Sequence, residues 1–130
     1  MNFESWLPPS PESAREARAI IRDVADELQL DGSTTFDLML ATTEAFANAI
    51  EHGEPCDPRG IRLRVESRYG GLGVEVRDCG SRSIEPRTRK LSGEGGRGMP
   101  IIAALMDDLE VAPDGHSTRV RFGKQLAVAG

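Results

Sequence analysis

The stretch from Ile61 to Asp78 constrains the fold more than any other. Ile61, Leu63 and Val65 alternate with Arg62, Arg64 and Glu66. Gly70-Gly71 turns the chain, and Leu72, Val74 and Val76 then alternate with Gly73, Glu75 and Arg77. A two-residue period belongs to a strand with one buried face. Two such runs about a glycine pair predict a β-hairpin. One face of the hairpin is aliphatic and must be covered. The other carries arginines and can stay in water, as antiparallel sheets allow.

Helices to cover the aliphatic face precede and follow the hairpin. Ser10 and Pro11 read as N-cap and first helical residue. Ala14, Ala17, Ile21, Val24, Ala25 and Leu28 form one helical face, and Asp31-Gly32 is expected to end that helix. A second helix is expected from Ser33 to His52. Its Phe36, Met39, Leu40, Thr43, Phe46, Ala47 and Ile50 share an arc of about 120° at ~100° per residue. Residues Cys79 to Gly98 show no period and read as a loop. A third helix begins near Met99-Pro100 with Ile101, Ile102, Leu105, Met106 and Leu109, and its end blurs into a strand near Leu109 and Val111. Pro113-Asp114-Gly115 reads as a turn before a last strand with Val120 and Phe122 on one face and Arg119 and Arg121 on the other. Met1 to Leu7 reads as a short edge strand. The order β, α, α, β, β, loop, α, β, β predicts an α+β, two-layer α/β sandwich. Its sheet is mixed but mostly antiparallel, with three main helices on one face. The 130 residues fit one domain, taken as 1–130.

Composition excludes several classes. Lysine and arginine total 16 against 21 acids, a net charge of -5, which argues against affinity gained by neutralising nucleic-acid phosphates. No apolar run approaches the ~20 residues of a membrane span, and MNFESWLPPSPE is not a secretory signal. Cys56 and Cys79 form no CxxC pair and read as reduced thiols. A cytoplasmic protein is expected.

Three places break local rules, and such places are candidates for function. In TEAFANAIEHG, Glu44, Asn48 and His52 follow one another at four-residue steps. They make a polar stripe beside the apolar arc. Asn48 and Glu44 supply hard oxygens suited to Mg²⁺ or a water, although a solvated helix flank is the plainer reading. Asp78 shares parity with Leu72, Val74 and Val76, so it points at the core face, where a carboxylate is costly unless paired. Such a group can accept a hydrogen bond from an exocyclic amine such as adenine's, or it can cap the turn at Gly80. Gly93-Glu94-Gly95-Gly96-Arg97-Gly98 precedes a helix and offers successive amides to an anion, or is a flexible loop. It lacks the strand of a dinucleotide fold and the lysine of a P-loop. From Ser81 to Gly93, Arg82, Arg87, Arg89 and Lys90 face only Glu85, so this loop is locally basic.

In this order the three segments resemble the motifs of the GHKL ATPase superfamily and its Bergerat nucleotide fold. TEAFANAIEHG is similar to the N box, Asp78-Cys79-Gly80 to the G1 box, and Gly96-Arg97-Gly98-Met99 to the G2 box. Within the superfamily the chain is most similar to bacterial anti-sigma-factor serine/threonine kinases. The resemblance implies bound ATP and Mg²⁺. Asn48 would hold Mg²⁺ against the phosphates and Glu44 would act as catalytic base toward a serine hydroxyl. Asp78 would bind the adenine amine with Gly80 making room, and Gly96, Arg97 and Gly98 would face the phosphates. Ser81 to Gly95 would form a lid. Arg82 stands where the family usually has a glycine.

The partners implied are a sigma factor and a small antagonist protein. The implied function is partner switching by phosphorylation of a serine on the antagonist. Relatives pair through a sheet surface, which extends the resemblance to a homodimer. A nucleotide-binding regulator without kinase activity is the alternative. A histidine autokinase would need a separate phosphoacceptor module, for which this chain has no room. A ligand-free interaction module would leave Asp78 and the glycine loop as coincidences.

Overall fold

A computed structural model describes residues 2–52, 60–68, 70–78, 98–114 and 117–126. The elements follow the expected order: β1 (Asn2–Leu7), α1 (Pro11–Glu27), α2 (Gly32–His52), β2 (Ile61–Arg68), β3 (Gly71–Asp78), α3 (Gly98–Leu105), β4 (Asp108–Asp114) and β5 (Ser117–Gln125). The five strands form one sheet in the order β1-β2-β3-β5-β4. Every pairing among them is antiparallel. The helices pack in a second layer, with α2 against α1, α3 and β3. This is the expected α+β sandwich.

The hairpin forms as its alternation requires. Gly70 sits at φ 75°, a conformation that costs other residues strain, and hands the chain to β3. Ile61, Leu63 and Val65 of β2 and Leu72, Val74 and Val76 of β3 are all buried. They share one core with Ile21 and Val24 of α1, Phe46 of α2, Ile102 of α3 and Phe122 of β5. Fully burying one such side chain contributes about 1.5–3 kcal/mol.

The opposite face carries a lattice of charge. Glu4, Arg64, Glu75, Arg121 and Glu110 stand in register across all five strands with alternating sign. Glu75 is reached by Arg62 at 2.5 Å and by Arg121 at 3.6 Å. Arg62 also lies over the Trp6 ring, 6.0 Å from its centre. Arg68 lies across the registered pair Gly73 and Gly123, where an added Cβ would meet its guanidinium at 2.4 and 2.7 Å. Opposite charges on neighbouring strands stabilise a sheet by tenths of a kcal/mol to about 1 kcal/mol per pair.

Several local expectations are corrected. The buried residues of α2 are Leu38, Ala41, Thr42, Ala45, Phe46 and Ala49, whereas Phe36 is 63% exposed and Ala47 is exposed. The buried arc is thus turned by roughly 130° from the one that side-chain hydrophobicity suggests. Small residues face the core because α2 lies between neighbours, and alanines let their backbones approach.

Asp31 does not end α1. That helix stops at Glu27, with Gln29 in the left-handed region at φ 57°, and Asp31 caps α2 instead. Its Oδ1 accepts the Thr34 amide at 2.6 Å and its carbonyl accepts the Thr35 amide at 3.0 Å. The third helix ends at Leu105, so Leu109 belongs to β4. Pro113 and Asp114 pair with Thr118 and Ser117 instead of turning. Proline is tolerated there because β4 is an edge strand.

Candidate functional site

β3 and β5 are central neighbours, and the parity of each decides what its end presents. Asp78 continues the face of Leu72, Val74 and Val76 and is 6% exposed. Directly opposite it in register is Thr118 of β5, 3% exposed, on the face of Val120 and Phe122. The Thr118 hydroxyl has no hydrogen-bond partner among the described residues. Leaving such a group unsatisfied costs about 1–3 kcal/mol, so this is a place where a ligand or water gains a ready partner. Carboxylate and hydroxyl sit side by side on paired strands, where opposed Cβ atoms are about 5 Å apart. The carboxylate accepts, and the hydroxyl both accepts and donates. A planar group with a donor beside an acceptor matches that pair.

Sequence reading missed Thr118. The signal was available, because residue 118 shares the parity of Val120 and Phe122. What it lacked was the register that places it against Asp78.

Glu44 and Asn48 lie half-buried on α2, on the flank of its buried arc, with Ala45 and Ala49 beside them in the core. At ~100° per residue Asn48 is only about 20° from Ala41 at the arc's edge. Glu44 and Asn48 therefore stand at the edge of the buried arc, on the flank opposite to the one expected, while nothing is described of the His52 side chain. Thr42, within the buried arc, is fully buried, and its hydroxyl also lacks a partner among the described residues.

α2 touches both β3, which ends in Asp78, and α3, which opens at Gly98. Gly98 was expected in the loop, but it is the first residue of that helix, followed by buried Met99. Pro100 falls in the first turn, where its missing N–H breaks no helical bond. Gly80, Gly96, Arg97 and the lid segment Ser81 to Gly95 lie outside the described residues, as do Cys56 and Cys79.

The far ends of these elements are tied together. The Lys124 ammonium on β5 donates to the Leu105 carbonyl at 2.7 Å, closing the C-terminus of α3. It also reaches Asp37 of α2 at 3.3 Å. A cation there meets the negative end of the helix dipole. One residue thus joins three elements of the proposed site, namely α2, α3 and β5.

Among the described residues no group of three or more His, Cys, Asp or Glu is gathered to hold a metal ion. No described helix is long and apolar enough to cross a membrane.

Comparison with known proteins bears on the fold and the family. A serine-protein kinase RsbW from Oceanobacillus iheyensis is 28% identical over 123 residues, covering 84% of this chain and 77% of its own. The RsbU and RsbW domains of a Mycobacterium tuberculosis protein superpose with a TM-score of 0.77 at 23% identity, over 97% of this chain. This chain spans 32% of that longer one. A chain of the SiaB–SiaC complex from Pseudomonas aeruginosa gives a TM-score of 0.69 at 14% identity, over 95% of this chain and 88% of that one. These two structures share the fold. The model of the histidine kinase-like ATPase domain matches residues 7–124, from the end of β1 to the Lys124 clamp, and the chain therefore belongs to that family.

Proposed function

We propose that this protein is an ATP-dependent serine/threonine protein kinase of the anti-sigma-factor type, acting by partner switching. The observation that carries the reading is the buried pair on β3 and β5, with the orphaned hydroxyl of Thr118 beside Asp78. Adenine offers an exocyclic amine next to a ring nitrogen. The amine donates to the Asp78 carboxylate, and the Thr118 hydroxyl serves the ring nitrogen, directly or through a water. Guanine would set a carbonyl oxygen against the carboxylate, leaving two acceptors facing, so ATP is preferred over GTP. The similarity to a serine-protein kinase supports phosphoryl transfer to a protein serine. The resemblance to anti-sigma-factor kinases suggests a small antagonist and a sigma factor as partners. A homodimer belongs to the same reading.

In that reaction the serine oxygen attacks the γ-phosphorus in line, the bond to the β-phosphate oxygen breaks, and ADP leaves. Glu44 takes the serine proton. Its place on the flank of α2, half out of solvent, suits a base that must meet a partner's hydroxyl. Asn48, one turn on, is the residue that would hold Mg²⁺, which would supply positive charge to the phosphates. By the resemblance, Gly80 would make room for adenine, and Gly96, Arg97 and Gly98 would face the phosphates. Positioning and neutralisation supply most of the rate.

The test is transfer of labelled phosphate from ATP to the cognate antagonist by the intact chain and by Glu44→Ala. The variant should retain the thermal shift given by Mg·ATP and lose transfer by about 100-fold or more, the scale of a positioned general base. Normal transfer by Glu44→Ala would remove that residue from the mechanism. Nucleotide binding without transfer by the intact chain would make the protein a nucleotide-dependent regulator instead.

A further inference from the structure

The two-layer sandwich is incomplete at one corner. β1 is an edge strand, bonded only to β2. Its Phe3 stands opposite the buried Val65, on the same face as Leu7. Leu7 is buried, yet Phe3 is 36% exposed. Between this end of β1 and α1 runs a groove of about 310 Å³ lined by Asn2, Phe3, Ile20, Asp23, Val24 and Glu27. Its floor is apolar, and among the described lining residues the only charges are Asp23 and Glu27. Both are exposed, and neither makes an ion pair among the described residues.

The helix above the groove segregates its charges. At about 100° per residue, Glu12, Glu16, Asp23 and Glu27 fall within about 60° of arc. Arg15, Arg18 and Arg22 fall within another arc of about 60°, centred roughly 120° away, and Asp26 falls between the two. The acidic stripe is the one that meets the groove, through Asp23 and Glu27. Like charges at four-residue spacing weaken a helix, and acids in its last turn oppose the dipole. The last turn of α1 holds no basic residue. The arrangement is unfavourable for the helix alone and favourable once a cation arrives.

An edge strand presents unpaired backbone groups that another strand can complete. We propose that the free edge of β1 and this groove dock an extended segment of a partner protein. On one face that segment carries aliphatic residues flanked by lysine or arginine. Its backbone adds to the sheet beside β1. Its aliphatic side chains fill the slot over Phe3, Ile20 and Val24, and its cations meet Asp23 and Glu27. A second copy paired edge to edge by symmetry would set its own Asp23 and Glu27 beside these two, like charge against like. A nucleic acid would set phosphates against both carboxylates.

The proposal is independent of nucleotide and is tested without it. The probe is a capped peptide, Lys-Thr-Val-Thr-Val-Thr-Lys, which places both lysines and both valines on one strand face. It is titrated into the labelled full chain while amide resonances are followed. Saturable shifts should concentrate in residues 2–7 and 20–27. The same peptide with glutamate for lysine should leave them in place. Asp23→Lys combined with Glu27→Lys should weaken binding by about tenfold, the scale of two reversed exposed charges. Phe3→Ser should weaken it also, and Arg22→Gln on the other stripe should not.

Equal binding of the glutamate peptide would overturn the proposal. So would shifts confined to the arginine-bearing face of the sheet, indifference to the double reversal, or no saturable shift at millimolar peptide. Concentration-dependent shifts of the same resonances without peptide would identify a second copy as the occupant, and would overturn it too.

Discussion

The two ends of the β3–β5 pair are built in opposite ways. At one end Asp78 faces Thr118. At the other Leu72 faces Lys124, six residues and about 20 Å away along the strand. Thr118 keeps a buried hydroxyl with no partner among the described residues, while Lys124 spends its ammonium on a helix carbonyl and a carboxylate. Around Lys124 other groups are also matched. The Asp107 amide donates to the Gly123 carbonyl, and its side chain accepts the Gln125 amide. One end therefore spends its polar groups on holding the fold, and the other keeps at least one in reserve. A rigid clamp at one end lets an open site at the other keep its shape.

The contrast can be broken from either side. The largest expected effect is at Asp78. Mg·ATP at 100 times its dissociation constant should add about 2.7 kcal/mol to the intact chain. That is a shift of a few degrees for a chain of this size, and Asp78→Asn should lose it. A full shift in the variant would remove Asp78 from the site.

Lys124→Met should lower stability by about 2 kcal/mol in denaturant melts, because it opens the α3 terminus and leaves Asp37 without its cation. Nucleotide affinity should fall much less than stability. If the two fell together, the clamp would be part of the site rather than its support.

Thr118→Val should raise the stability of the free protein by up to about 1 kcal/mol, since it replaces an orphaned hydroxyl by a methyl of similar shape. It should weaken nucleotide binding at the same time. A variant that is both less stable and unchanged in binding would mean that the hydroxyl is satisfied in solution.

The smallest effect concerns Asp31, the cap of α2, on which the Lys124 charge also acts. The Thr34 amide holds its carboxyl below the ordinary value of 3.8, with further help from the Thr34 hydroxyl. A depressed folded-state pKa contributes stability that is fully present above 3.8 and is lost as pH falls through the folded-state value. Asp31→Asn should be slightly less stable than the intact chain near neutrality and equal to it in strong acid. A gap unchanged by pH would assign the cap to the side-chain shape alone.

The sequence determined a good deal by itself. Alternation at Ile61 to Val65 and Leu72 to Val76 set which side chains of the hairpin face inward, and the same parity carried Asp78 to the core face. A strand's period of two leaves only one choice of face, so local pattern sufficed. The four-residue steps of Glu44, Asn48 and His52 likewise set a stripe on α2 before its neighbours were known.

Tertiary structure decided the rest. Which flank of α2 lies inward depended on α1, α3 and β3 all packing on it. The alanines at 41, 45 and 49 went inside while Phe36 stayed out, a choice that hydrophobicity read along one helix does not contain. Thr118 stands beside Asp78 because residues forty apart in the chain pair across β3 and β5. No local spacing records that register. The groove at β1 has the same origin. Phe3 has the parity of a core residue, and only the position of α1 leaves it half-covered.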